Sequence, residues 1–512
     1  MTLIFKYGKP LLTYLCCCAV LSGCAVTSGY HPALLKVPAQ WSEAPSSNTP
    51  KRQSSLAWWM VFHDKELNSL IERAVRSNLD VQLAQARLRE VRTQLRVTSN
   101  SFSPSLNASA AYSRERDSTH APAQVLADPS GRIESPTGGS SNLFQAGFDA
   151  SWEIDVFGGQ RRAIEAAHAD ADASSYERDA VVLTLLAEVT RNYIELRGSQ
   201  RQLGIATQAL AAHEDMLKLI LARQAGGLAS TIEVARAEAV LKRFAADIAP
   251  LDTIHKNAEH RLSILLGLWP GALNDELKTG GAIPFASADF SLGMPSDLMR
   301  QRPDIQRAER QLVAASARLG VATADLYPRF SLIGAAGLAS VSALDFFSSG
   351  SFLWKVGPSI SWPIFRRGQI AATIEIRDAQ QQAAFIVYRK AILYALEEVE
   401  NANAAYKQDQ IRRDGLASVV KDFQQSTDLS LARYQAGLAD FRDVVDAEII
   451  LFQAQNELAK SNAVLAVSLV SLYKALGGGW DAQQFKALAN SPENAACTVT
   501  DPTGKQLCST SP

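Results

Sequence analysis

The sequence has no excess of either charge, because 51 Lys and Arg residues balance 52 Asp and Glu residues. The basic footprint of a nucleic-acid-binding protein is therefore absent. Seven histidines are scattered, and His255 and His260 are spaced too unfavourably to share a metal ion on one helical face. Gly504-Lys505 lacks the preceding glycine and the following Ser or Thr of a phosphate loop. We expect no enzyme activity, cofactor or metal site.

The sequence also lacks a long apolar run. The run from Leu11 to Ser22 is shorter than the roughly 20 residues that a membrane-spanning helix needs. Lys6 and Lys9 precede it, and Leu21-Ser22-Gly23-Cys24 has the pattern that a bacterial signal peptidase cuts before a lipid-modified cysteine. We therefore predict a lipoprotein signal peptide over residues 1–23.

The predicted lipidation site is Cys24, which would carry palmitate and other acyl chains. Ala25 follows it, where a signal for retention in the inner membrane would usually be Asp. We therefore expect an anchor in the outer membrane, and two or more acyl chains make such an anchor stable.

Cysteine is scarce in the predicted mature chain. Cys16, Cys17 and Cys18 leave with the signal peptide, and besides Cys24 only Cys497 and Cys508 remain. The periplasm is oxidising, so a small disulfide loop in the C-terminal tail is expected. Two free thiols are the alternative.

Two long segments, residues 137–249 and 364–491, contain no proline. In the first, Val182, Val189, Leu196, Leu203, Leu210 and Leu217 recur every seven residues. This heptad pattern predicts a long helix that supercoils against a neighbour. From Gln160 to Arg223 the helix would run about 95 Å at ~1.5 Å per residue. Gly226-Gly227 would end it, and a return helix is expected from about Thr231 to Leu266.

Each of two shorter regions has the alternation of a strand hairpin. In the first, the apolar positions are Leu106, Ala108, Ala110 and Tyr112, and then Phe144, Ala146, Phe148, Ala150, Trp152 and Ile154. In the second, they are Phe330 and Leu332, and then Phe352, Trp354, Val356, Ile360, Trp362 and Ile364. The chain is therefore expected to contribute four strands.

The two regions belong to an internal repeat. The repeated residues match at offsets of 224, 209 and 210: Asp80, Ala84, Leu88, Leu95 and Pro104 with Asp304, Ala308, Leu312, Leu319 and Pro328; Gly159-Gln160, Glu188 and Asn192 with Gly368-Gln369, Glu397 and Asn401; Gly227-Leu228, Val234, Ala237-Glu238 and Gly267 with Gly437-Leu438, Val444, Ala447-Glu448 and Gly477. The predicted organisation is a tether over 24–60, a first repeat over 61–267 with a hairpin at about 104–157, a linker over 268–294, a second repeat over 295–479 with a hairpin at about 328–365, and a tail over 480–512.

Four amphipathic strands fit a membrane only as part of a closed barrel, because every backbone polar group must be paired there. Four strands are too few to enclose a channel, since known barrels start near eight. Copies of the chain must therefore pool their strands, eight in a dimer or twelve in a trimer. A small soluble sheet packed on a helical bundle is the alternative.

Two motifs make the sequence similar to the TolC/OprM outer-membrane factors, in particular their NodT-type lipoprotein branch. One is Trp58-Trp59-x-x-Phe62-x-Asp64-x-x-Leu67 with Asn78-x-Asp80, and the other is Arg302-Pro303-Asp304-Ile305-x-x-Ala308-Glu309 with Tyr327-Pro328. The resemblance covers nearly the whole mature chain. It implies a mainly α-helical protein whose duplicated helix–β-hairpin–helix unit gives a trimeric 12-stranded outer-membrane barrel continued by a periplasmic helical barrel. The implied partners are a periplasmic membrane-fusion adaptor and an inner-membrane pump of the resistance–nodulation–division (RND) type.

The resemblance also implies a docking site and the position of a gate, and the sequence itself suggests a third site in the second hairpin loop. The turns at Gly227-Leu228 and Ala436-Gly437-Leu438 are expected to dock the adaptor, although glycine caps alone would explain them. Asp428 and Leu431 are expected to form a periplasmic gate. Asp428 corresponds to Lys218 of the first copy, and as an alternative it is a solvated helix residue. Phe346 and Phe347 are expected to narrow the outer mouth, unless they are membrane-interface anchors.

Three functions remain open from the sequence. The first is a passive exit duct for drugs or other small molecules. The second is the same duct serving metal ions or secreted proteins, although five methionines argue weakly against a soft metal. The third is a lipid-anchored periplasmic coiled-coil protein without a pore.

Overall fold

The structure is a computed structural model that describes residues 38, 40–42, 58–116, 140–286 and 295–478. The predicted signal peptide with Cys24, most of the tether, part of the linker and the tail with Cys497 and Cys508 lie outside these residues. The helices are α1 (Lys65–Ser77), α2 (Leu79–Asn100), α3 (Gly159–Ala225), α4 (Thr231–Leu265), α5 (Asn274–Leu277), α6 (Leu298–Gln301), α7 (Pro303–Ala324), α8 (Arg367–Gln435) and α9 (Phe441–Ala475); the strands are β1 (Ser105–Arg116), β2 (Ser140–Ile154), β3 (Arg329–Ser340) and β4 (Phe352–Ser361).

The chain divides into two compact units. The first contains Arg89–Asp172 and Arg310–Ile386 and includes all four described strands. The second contains Leu34–Leu88, Ala173–Glu309 and Val387–Pro512 and includes the ends of the long helices. Each unit therefore draws on both sequence repeats.

In the first unit, the four strands form one antiparallel sheet in the order β1-β2-β3-β4. The register places the predicted apolar positions side by side: Ala108 faces Phe148, Phe148 faces Ala336, and Ala336 faces Trp354. Because side chains alternate between the faces of a strand, one face of the sheet is apolar across all four strands. This confirms the predicted hairpins and shows that the two repeats meet at β2 and β3.

Each hairpin is fixed at its end by an indole. Trp152 Nε1 donates a hydrogen bond of 3.0 Å to the carbonyl of Phe102, and Trp362 Nε1 donates one of 3.1 Å to the carbonyl of Leu326. The two donors are 210 residues apart and the two acceptors 224, which are the offsets of the sequence repeat. The duplication therefore extends to single hydrogen bonds.

The second hairpin is shorter than predicted, because β4 ends at Ser361 and Trp362 and Ile364 lie beyond it. Pro363 has no N–H to donate to a neighbouring strand. The indole of Trp362 is already bonded to the carbonyl of Leu326. A short 3-10 helix, Ile364–Arg366, then leads directly into α8.

In the second unit, a repeated contact joins the start of each repeat to its last helix. Asn78 Nδ2 donates to the carbonyl of Leu265 at 2.9 Å, and Arg302 Nη1 donates to the carbonyl of Ala475 at 2.7 Å. Buried carbonyls at helix ends need such donors, since they have no partner within the helix. We call these two contacts the seams of the repeats.

The first motif of the resemblance lies in the core of the second unit. Trp58 is buried and stacks on Tyr473, with 5.5 Å between ring centroids. Asp64 caps α1 by accepting from the backbone N–H groups of Glu66 and Leu67, and it also accepts from the Tyr193 hydroxyl at 2.8 Å. These contacts explain why aromatic and acidic residues occur in this motif.

The long helices α3 and α8 are continuous over 67 and 69 residues, as the proline-free segments predict. The return helix α4 ends at Leu265, one residue before its predicted end, and contains Pro250. A proline removes one backbone hydrogen bond, but the neighbouring turns keep a helix of 35 residues continuous.

Candidate functional site

The two turns that the sequence singles out have the same geometry. Gly227 and Gly437 have φ angles of 73° and 75°, a left-handed conformation that glycine adopts without strain. The N–H groups of Leu228 and Leu438 donate to the carbonyls five residues earlier, at 2.8 and 2.9 Å. These bonds satisfy the last carbonyls of α3 and α8, as in a Schellman cap.

The chain re-enters a helix immediately after each turn. Ser230 begins α4 with a capping box, in which its side chain and that of Glu233 each bond the other's backbone N–H. Asp440 begins α9 by accepting from the N–H of Arg442 at 2.9 Å. Between turn and cap, Leu228 and Leu438 are 73% and 71% exposed. Each turn therefore presents one apolar side chain on a rigid backbone.

An apolar cluster next to the turns joins the two helical hairpins, α3–α4 and α8–α9. We call it the tip cluster; its buried members are Met216, Ile220, Ala237, Tyr434, Phe441, Val444 and Val445. The Arg223 guanidinium lies 4.8 Å from the centre of the Tyr434 ring. Burial is the main reason that the pKa of the Tyr434 hydroxyl is raised. The cluster places both turns at one end of the second unit.

The two predicted gate residues have different environments. Asp428 is exposed on α8 and accepts a hydrogen bond of 3.0 Å from Gln424 Nε2. Leu431 is half-buried and packs against the tip cluster. The exposed leucine of this stretch is Leu429, with 59% of its surface accessible. The Asp428 side chain is thus exposed, as a ring of carboxylates from several copies would require. Leu431 instead packs within its own protomer.

The structure brings together two ionisable residues that the sequence did not single out. His213 on α3 and Glu448 on α9 place Nε2 and Oε2 3.5 Å apart, with side chains only 6% and 19% exposed. Burial lowers the pKa of His213 and raises that of Glu448 to about 7. The only sequence signal was that Glu448 repeats Glu238. His213 was one of seven scattered histidines.

The predicted mouth residues lie near the apolar face of the sheet. Phe346 is half-buried, and its ring centroid is 6.5 Å from that of Phe144, one of the apolar-face residues. Phe347 contacts Phe346 edge-on at 5.0 Å and is 85% exposed. Phe346 therefore lies beside the apolar face, and Phe347 is exposed next to it.

Within the described residues, no three His, Cys, Asp or Glu side chains come together in a way that would hold a metal ion. None of the described helices is long and apolar enough to cross a membrane. The predicted lipidation site and disulfide fall outside the described residues and stay predictions.

An apolar four-stranded sheet, duplicated long helical hairpins and rigid helical turns together define an outer-membrane channel protein. The chain belongs to the outer membrane efflux protein family, whose pattern matches residues 70–268 and 294–478. It is thus located in the outer membrane and serves as the exit channel of an efflux system. This confirms the implied function and the mainly α-helical fold with a small antiparallel sheet.

Relatives align over nearly their whole length. Nodulation protein T of Rhizobium leguminosarum bv. trifolii is 28% identical over 93% of this chain and 98% of its own. The pyoverdine export outer membrane protein OpmQ of Pseudomonas aeruginosa is 30% identical over 92% and 98%. The solved outer-membrane channel OprN superimposes with a TM-score of 0.80 at 31% identity, over 88% of this chain and 99% of that one. The second of these relatives is named as an export protein and the third as a channel.

Proposed function

We propose that three copies of the chain pool their strands into a twelve-stranded barrel that carries small molecules out through the outer membrane. The observation that supports this most directly is the sheet itself. In the described chain, β1 and β4 pair on one side only, so each leaves a free edge beside a continuous apolar face. Lipid cannot satisfy a free strand edge, whereas a second copy can.

The dimensions of the apolar face fit this role. From Phe144 to Ile154 the strand advances about 34 Å at ~3.4 Å per residue. With a tilt of about 40°, the band is roughly 26 Å high, close to the ~25 Å of known outer-membrane barrels. Trp152 and Trp362 lie at one end and Phe144 with Phe346 and Phe347 at the other, where aromatic girdles are expected. We therefore assign the two loop phenylalanines to the membrane interface.

The helical turns are the proposed docking surface for a periplasmic adaptor, which links the channel to an RND-type pump. Gly227, Leu228, Ala436, Gly437 and Leu438 form two equivalent apolar knobs, as would suit a repeated partner element. Asp428 is the proposed gate residue, because three exposed carboxylates near one axis would repel each other and attract cations. Leu431 contributes by supporting the α8 backbone through the tip cluster.

Docking is tested with Gly437→Trp, which adds bulk at the turn. The matched control is Gly437→Ala, which imposes the same left-handed backbone but adds only one methyl group in open space. We expect Gly437→Trp to abolish drug export while trimers still reach the outer membrane, and Gly437→Ala to retain most export. Normal export by Gly437→Trp would refute docking at this turn.

The gate and the pore are tested by single-channel recording in planar bilayers. Asp428→Asn should change the preference for cations or the conductance, whereas Gln424→Ala, one turn earlier, removes only the local hydrogen-bond donor. If neither property changes in Asp428→Asn, the carboxylate has no gating role. Absence of any conductance from the purified wild type would instead favour a coiled-coil protein without a pore.

Cargo is tested by deleting the gene and measuring susceptibility to drugs and to metal ions. We expect sensitivity to organic compounds, because the proposed duct carries small molecules. Sensitivity to metal ions alone would identify a metal exporter. Incorporation of labelled palmitate into wild type but not Cys24→Ser tests the anchor, and thiol counts with and without reductant test the pairing of Cys497 with Cys508.

A further inference from the structure

The contact between the His213 imidazole and the Glu448 carboxyl group has an unusual position. It joins α3 of the first helical hairpin to α9 of the second, close to the tip cluster. The His213 ring stacks on Phe244 of α4 at 4.5 Å, and Phe244 contacts Phe452 of α9 edge-on at 4.7 Å. Three helices therefore enclose one imidazole and one carboxyl group.

Among the described contacts, this enclosure offers the carboxyl group no other polar partner. Glu448 Oε2 has no hydrogen bond within the described residues. On α4, Arg243 and Asp247 flank Phe244 but are exposed, and on α3 Glu214 is exposed. On α9, Asp446 pairs with Arg442 at 3.4 Å. On α8, Thr427 donates to the carbonyl of Ala447, and the charged residues that flank Thr427 in the sequence, Asp422 and Asp428, are exposed.

The internal repeat does not reproduce this pair at the corresponding positions. Glu238, which corresponds to Glu448, is 47% exposed and pairs with Lys242 at 3.5 Å. The position that corresponds to His213 is Phe423. A buried, chargeable pair thus occurs on one side of the duplicated structure only, which points to a role beyond packing.

We propose that His213 and Glu448 form a proton-dependent latch, which holds the two helical hairpins together most firmly when the pair shares a single proton. With one proton, the Glu448 carboxyl can donate to Nε2, or the imidazolium can donate to the carboxylate. Loss of this proton leaves a buried carboxylate facing a neutral imidazole, and a second proton leaves a buried imidazolium facing a neutral acid. Both states have one unpaired buried charge.

The inference rests on the proposed channel function and adds to it that the two helical hairpins separate when the channel opens. Separation would hydrate both groups and return them toward their ordinary pKa values of 4.5 and 6.5. Glu448 alone, with a pKa of about 7 when packed, favours the packed state at low pH, since its packed form holds the proton more tightly. His213 alone, with a lowered pKa when packed, favours the packed state at high pH. In the wild type, the two contributions to the slope of the opening equilibrium against pH therefore oppose each other.

Each single variant should therefore show the pH dependence of opening that is due to one group alone. In His213→Gln only the carboxyl titrates, and the opening equilibrium should rise by about 20-fold from about pH 5.5 to about pH 7.5. In Glu448→Gln only the imidazole titrates, and opening should instead fall over the same range. The wild type should vary less than His213→Gln does, because the two groups respond to pH in opposite directions. A purely structural role of the two side chains would not produce slopes of opposite sign.

Opening is measured as the rate at which a water-soluble maleimide modifies Val445→Cys, a tip-cluster position that is 2% exposed. The exposed Lys218→Cys provides the reference rate, which corrects for thiol ionisation. The experiment uses full-length trimers in which Cys497 and Cys508 are replaced by Ser. Glu238→Gln is the matched control and should behave as the wild type does.

Slopes of the same sign in His213→Gln and Glu448→Gln, or no pH dependence in either, would overturn the latch. So would an altered slope in Glu238→Gln. If one variant fails to assemble, the other still has to show its own sign. Conductance is recorded separately, because trimers with the expected slopes but no conductance would contradict the proposed channel and leave the latch standing.

Discussion

The four glycines that end the long helices allow a prediction in which backbone strain and steric contact are separated. Gly227, Gly267, Gly437 and Gly477 all have φ between 71° and 85°. An added Cβ would meet nothing within 4 Å at Gly227 and Gly437. At Gly267 it would lie 2.6 Å from the carbonyl oxygen of Ser77, and at Gly477 3.0 Å from that of Gln301. The last two lie at the seams of the repeats.

Alanine at Gly437 should therefore cost only the left-handed backbone strain, about 1–2 kcal/mol. Alanine at Gly267 adds overpacking of about 1–3 kcal/mol, because the contacting atom is backbone and cannot rotate away. For a chain with roughly 400 ordered residues, 1 kcal/mol corresponds to about 1 °C in Tm. We expect losses of about 1–2 °C for Gly437→Ala and about 2–5 °C for Gly267→Ala.

The assay is far-ultraviolet circular dichroism of purified trimers in detergent, with all variants heated at one scan rate. Gly477→Ala should fall between the other two variants, since its contact is longer. Equal losses at Gly437 and Gly267 would refute the reasoning, because they would show that the contact with Ser77 contributes nothing. A larger loss at Gly437 would show that the turn is not in open space.

Three further predictions concern single residues. Gly337→Ala should prevent trimer assembly, seen on mild gels, because its Cβ would lie 2.5 Å from the Ala146 carbonyl; Gly357→Ala, with nothing near it, should assemble. Ser230→Ala should lower stability by about 1 kcal/mol through loss of the capping box. Burial raises the pKa of Asp304, but hydrogen bonds and charge from Arg302 lower it overall. The ionised Asp304 therefore stabilises the fold above its ordinary pKa of 3.8, and this stabilisation is lost as the pH falls below 3.8. Acid unfolding curves of Arg302→Gln should lack this loss.

Much of the fold is visible in the sequence because the strongest signals are local. Alternation with a period of two places Phe148 and Trp354 on the same face, and the register confirms it. The glycine turns are also local, since a helix that ends in a left-handed residue leaves few choices other than glycine. Matched offsets then predict which parts of the two repeats are equivalent.

The candidate site is less visible because it depends on which helices become neighbours. The spacing from Asp428 to Leu431 is one helical turn and suggests a shared role, yet one side chain is exposed and the other packs in the tip cluster. His213 and Glu448 are 235 residues apart in sequence, and heptad spacing gives each helix an apolar stripe without naming its partner. The position of Phe346 beside the apolar face likewise follows only from the contact between its ring and that of Phe144.

The free edges of β1 and β4 have a consequence for how the protein is made. A newly exported chain has two unpaired strand edges and an exposed apolar face. In the proposed assembly, the edges are paired only when copies associate. In the proposed trimer, folding of the sheet and association are thus one event, whose yield depends on protomer concentration. A bacterium that makes several such channels faces a sorting problem, since a related chain with matching borders would produce mixed assemblies. The side chains along β1 and β4 are where selection for self-recognition should act.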